Sequence, residues 1–159
     1  MSTPFVVSLS VVVGLVFGSR FVFSALPSQR HGRPLTILDA VLLGLGLAGL
    51  SFHCGSMFFH SIVEALPGTA RAINAINALG TASKIGYAVP AALVVLGFRH
   101  QHPAAVSAVA AALTAVGITM YDGGSLSVHL TAIFIAVIAI TAVVSMLALP
   151  VPERRRWVQ

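Results

Sequence analysis

Hydrophobic residues run along this chain in five long blocks, Pro4 to Leu26, Thr36 to Leu66, Ile73 to Phe98, Ala104 to Tyr121 and Leu126 to Leu149. Polar and turn-forming residues collect in the short gaps between them, which are rich in Pro, Gly, Ser and Arg. Roughly 20 apolar residues suffice to cross the hydrocarbon of a bilayer, so each block is long enough for one crossing or close to it. Backbone groups surrounded by hydrocarbon must be hydrogen-bonded within their own segment, which predicts helices even for blocks rich in Val and Ile. The pattern therefore predicts an all-α polytopic integral membrane protein: one transmembrane bundle over residues 1–159, with helices at about 4–26, 36–66, 73–98, 104–121 and 126–149. Fusing the last two blocks would give one span of roughly 46 residues, far more than a bilayer requires.

Charge then orients the bundle. With the C-terminus cytoplasmic, five crossings put the N-terminus outside. Arg20, Arg30, Arg33, Arg99, Arg154, Arg155 and Arg156 then fall on the inner side and only Arg71 on the outer. Short cytoplasmic loops carry such an excess of basic residues. The expected location is the bacterial cytoplasmic (inner) membrane, with the lipid bilayer as first partner. Trp157 beside the Arg154–Arg156 cluster reads as an interfacial anchor. The first block has no basic region before it and no small-x-small cleavage site after it, so it is expected to be retained.

Composition agrees. The 159 residues are 57% hydrophobic and 8% charged, with a mean hydropathy of +0.97 and a pI near 10.8, whereas soluble domains carry about 25% charged residues. The basic residues form no patch with interleaved aromatics, so no nucleic-acid partner is expected. Cys54 is the single cysteine, which excludes an intramolecular disulfide and a CxxC redox or zinc pair.

Candidate chemistry lies where polar residues enter the apolar blocks, because ionisable groups within a span are costly and tend to mark function. In the second block His53, Met57, His60 and Glu64 are spaced four, three and four, which places them on one helical face. In the third, Asn74, Asn77, Thr81 and Lys84 are spaced three, four and three, with Tyr87 three further on. Antiparallel packing would set Asn74 level with Glu64, Asn77 with His60 and Lys84 with His53. Met120, Tyr121, Asp122, His129 and Thr131 lie near the same depth and are expected to close a polar chamber open to the outer face.

Neutral imidazole is a common metal ligand, and thioether favours soft copper while carboxylate with imidazole suits zinc. His53, Met57, His60 and His129 are thus candidates for a transition-metal site of copper or zinc, with Glu64, Asn74, Asn77, Thr81, Lys84 and Asp122 as its polar support. Haem b is a second use of the same histidines, given two axial imidazoles from facing helices and room beside Gly44, Gly46, Gly49 and Gly55. Those glycines also suit close helix packing. A third reading is hydrolysis of a lipid by zinc-bound water, with His53, His60 and His129 as ligands and Asp122 or Glu64 as base. The segment Gly49-Leu-Ser-Phe-His53 followed by Gly55-Ser-Met-Phe-Phe-His60 resembles, over about a dozen residues, the Ser and His elements of seven-helix alkaline ceramidases. Those enzymes have two more helices than the five read here. The fourth reading is an accessory subunit with no chemistry of its own, in which polar residues join helices and the partners are other membrane subunits or further copies of the chain.

Smaller signals have structural expectations. Asp39 sits in the first turn of the second block, where it would cap the helix or pair with Arg30 or Arg33. Arg20 would snorkel to the headgroups, Pro90 would kink the third helix, and His100 and His102 would lie in a solvated turn.

Overall fold

The structure is a computed structural model that describes residues 3–22, 34–121 and 125–147. Among the described residues there are seven α-helices and no strand: α1 (Thr3–Val22), α2 (Ile37–Phe58), α3 (His60–Glu64), α4 (Ala70–Asn77), α5 (Thr81–Gly97), α6 (Pro103–Tyr121) and α7 (Leu126–Leu147). Three of them, α2, α6 and α7, are long and apolar enough to cross a membrane, and α4 with α5 would make a fourth if the bent pair is one span. Large apolar side chains point outward, including Ile37 at 87% and Leu15 at 67% exposure. A surface of that kind is unfavourable in water and natural in hydrocarbon.

The second and third blocks are not continuous helices as the pattern predicts. A straight helix over 36–66 would measure about 46 Å, well beyond the roughly 30 Å of hydrocarbon. The chain instead leaves helical geometry at Phe59 (φ −131°, ψ 45°) and folds back as α3. Gly55 permits that return, since a Cβ there would lie 2.8 Å from Val63 Cγ2. The third block starts earlier, at Ala70, and breaks after Asn77; Leu79 adopts a positive φ of 51°, the left-handed conformation that ends many helices. Between α4 and α5 the axis turns by 101°. Ile73 and Ile76 of α4 are buried, while Arg71, Asn74 and Asn77 are exposed.

Helix α2 begins with a capping box. The Asp39 N–H donates to Thr36 Oγ1 (3.1 Å), and Asp39 Oδ2 accepts from both the Thr36 N–H (3.2 Å) and its hydroxyl (2.7 Å), which satisfies amide donors that a helix start leaves open. The closest packing in the bundle joins α2 to α5. A Cβ on Gly46 would meet Val94 Cγ2 at 2.7 Å and the Pro90 carbonyl at 2.8 Å, and one on Gly49 would meet the Pro90 ring at 2.6 Å. Pro90 lies inside α5, which continues through it from Thr81 to Gly97, and its ring fills the groove that Gly49 leaves open. Helix α6 runs beside α5, α7 beside α6, and α1 packs on α7. Tyr87, Ala91, Val116, Met120 and Ala136 form the core where α5, α6 and α7 meet, with Met57 of α2 packed against it.

Candidate intramembrane site

The face of α2 that carries His53 and Met57 turns inward. His53 is 1% exposed, its ring meets that of Tyr87 edge-on at 5.7 Å, and its Nδ1 lies 3.6 Å from where a Cβ on Gly86 would be. Among the described residues, neither ring nitrogen has a hydrogen-bond partner. Buried polar atoms in folded proteins are nearly always paired, so an imidazole left this way is the most conspicuous polar feature of the bundle. Tyr87 is itself anchored, its hydroxyl donating to the Leu113 carbonyl of α6 at 2.7 Å.

His129 comes from the first turn of α7 and is also buried. Its ring stacks on Phe58 of α2 at 6.1 Å between centroids, so α7 does reach α2. Its Nδ1 lies 3.0 Å from Thr119 Oγ1, and that hydroxyl donates to the Val116 carbonyl at 3.0 Å. Where the single proton on Thr119 Oγ1 goes to Val116, the neutral imidazole donates from Nδ1. This tautomer leaves the lone pair on Nε2, the arrangement that orients a metal-binding histidine.

The other residues of the two predicted stripes are placed elsewhere. His60 and Glu64 belong to α3, pair with each other at 3.2 Å, and are 47% and 60% exposed. Asn74 and Asn77 lie on α4, Thr81 and Lys84 on α5, and all four are exposed. The 101° turn separates the first two from the last two, so the even spacing does not describe one helical face. Lys84 Nζ sits over the Tyr121 ring at 5.7 Å. Thr131 donates to its own helix at Ser127 O. Asp122, Arg30, Arg33 and the basic tail lie outside the described residues. Among the described residues no three His, Cys, Asp or Glu side chains gather in a group that could hold a metal ion. Gly46 and Gly49 are closed over by α5, leaving no gap between these two helices for a flat macrocycle.

A second polar cluster escapes the sequence reading. Asp39 is fully buried, and Arg99 Nη2 reaches its Oδ1 at 3.0 Å while His100 Nδ1 lies 3.0 Å from its Oδ2. His102 Nδ1 accepts from the Ala104 N–H at the start of α6. The turn expected to be solvated is thus a clasp between the start of α2 and the α5–α6 connection. The signal was present in the assignment of Arg99 and Asp39 to the same membrane face, but contacts this distant in sequence, 61 positions for His100 and Asp39, need the packing of α2 on α5 to be known.

Fold and site together define an integral membrane protein, an all-helical bundle with buried histidines. Compared with known proteins, the chain matches no family model, no curated protein and no solved structure.

Proposed function

We propose that the protein crosses the bacterial inner membrane five times, N-terminus outside and C-terminus cytoplasmic, and binds a soft transition metal through His53, Met57 and His129. The observation that carries this reading is the buried His53 ring with neither nitrogen hydrogen-bonded among the described residues. Two others support it. Met57 stands one helical turn from His53 on the same face, and Nδ1 of His129 is held by the Thr119 hydroxyl at 3.0 Å. A thioether among the donors favours copper(I) over zinc, whose structural sites take four imidazole, thiolate or carboxylate ligands. His60 and Glu64 take no part in this site, and the zinc hydrolase reading, which needs His60 as a ligand, loses its support.

The test is copper(I) binding by the chain purified in mild detergent, read by competition with a chromophoric chelator. One equivalent is expected, with loss of binding in His53→Ala and His129→Ala. Thr119→Val, which removes the hydroxyl beside His129 Nδ1, is expected to weaken it by about tenfold, in the range for groups that orient metal ligands.

A second reading, a non-catalytic subunit of a larger membrane assembly, is favoured by the way other polar groups join helix to helix: Asp39 with Arg99 and His100, Ser83 with Tyr121, and Tyr87 with Leu113. It predicts no copper above background, an unaltered His53→Ala variant, and co-migration with a stoichiometric partner from native membranes.

A further inference from the structure

Helices α5 and α6 touch through Ser83 and Tyr121, whose hydroxyls lie 3.0 Å apart, and through the Tyr87 ring set against Gly117. Alongside those contacts the facing residues are small, and a cavity of about 670 Å³ opens between the two helices. Ala88, Ala92, Thr114 and Ile118 line it, and Lys84 and Tyr121 stand at one end. From Lys84 to Leu96 the groove follows thirteen residues of α5, about 18 Å of helix. Its walls are apolar over that length, and its charge is confined to the Lys84 end. Among the described residues no carboxylate lies within ion-pair distance of Lys84. The ammonium rests instead over the face of the Tyr121 ring, a contact that holds it at the mouth without neutralising it.

We propose that this groove is a specific site for an anionic phospholipid of the surrounding bilayer. One acyl chain would lie along α5 and α6, and the phosphate would meet the Lys84 ammonium. When Ser83 donates to the Tyr121 hydroxyl, the phenol's own proton is directed outward and can serve a phosphate oxygen. A second copy of the chain is the rival occupant, because small residues also admit helices. Two-fold association about an axis along the membrane normal would set the two Lys84 side chains at equal depth and close together. That like-charge approach opposes a second copy, while the same charge attracts an anionic lipid.

The experiment is native mass spectrometry of the full chain released from detergent containing equal amounts of phosphatidylglycerol and phosphatidylcholine. The wild type is expected to retain one phosphatidylglycerol in preference to phosphatidylcholine by about fivefold, the effect of one basic side chain near an anionic surface. Lys84→Gln is expected to bring the ratio near one and Lys84→Arg to keep it. Ala92→Phe, which fills the groove from an exposed position, is expected to remove both adducts without change in helicity by circular dichroism. Equal retention of the two lipids by the wild type, or a ratio indifferent to Lys84→Gln, overturns the proposal. A dimer that Ala92→Phe dissociates would also overturn it, and would give the groove to a second copy.

Discussion

Asp39 ties the start of α2 to the α5–α6 turn. It is fully buried yet contacted by Arg99, His100 and Thr36, so removing its charge strands a guanidinium against a desolvated pocket. Arg99 and His100 still reach solvent, which softens the loss. Asp39→Asn is expected to lower the midpoint in denaturant titrations of the detergent-solubilised protein. Tyr87→Phe removes one neutral hydrogen bond and should cost about 1 kcal/mol in the same titration. First-turn position marked Asp39 as a helix cap or a partner for Arg30 or Arg33; the capping box with Thr36 emerged from the structure. Position alone could not choose Arg99 over Arg30 or Arg33, because that depends on which helix lies alongside. His53 and Met57 were legible as one face for a related reason: they share an unbroken helix, and periodicity holds only within one. The Asn74, Asn77, Thr81 and Lys84 stripe failed because its helix does not continue past Asn77.

Helices α2 and α5 show how backbone spacing is set by the absence of side chains. Gly46→Ala would push a methyl against the Pro90 carbonyl, which is backbone and has little freedom to retreat. Overpacking of this kind costs about 1 to 3 kcal/mol, and the Tm in detergent should fall accordingly. Gly44→Ala, where a Cβ meets nothing within 4 Å, should leave the Tm unchanged or raise it, as alanine is the better helix former. The breaks are a different matter. Hydrophobic pattern alone marks where a chain is apolar, and both broken blocks are apolar on either side of the break; excess length was the one clue for 36–66. Leu79 carries the strain of its break, and at 46% exposure it gains little from burial. Leu79→Gly removes a left-handed penalty of about 1 to 2 kcal/mol against a smaller entropic loss, so it should stabilise the protein, read as a rise in Tm.

For the whole molecule, the five-crossing topology proposed above, with an outer N-terminus, predicts residues 78–80 outside and the α5–α6 turn inside. In a Cys54→Ser background, Gly80→Cys should react with an impermeant maleimide on intact cells, and Ala104→Cys only after permeabilisation. The reverse pattern would invert the molecule. All-helical class and membrane residence were readable from composition and block length because the bilayer imposes them on any chain. The lateral order of the helices was not, since hydrocarbon surrounds every one of them and gives no preference for neighbours. The corner between α4 and α5 has one mechanical consequence. In the proposed topology, with α5 crossing the bilayer, a turn of 101° would lay α4 along the surface, its buried Ile73 and Ile76 toward the bundle and its exposed Arg71, Asn74 and Asn77 free to meet headgroups. A rod placed in this manner would fix the vertical position of the molecule at one leaflet, and adaptation to a thicker or thinner bilayer would fall to tilting and to the opposite leaflet alone.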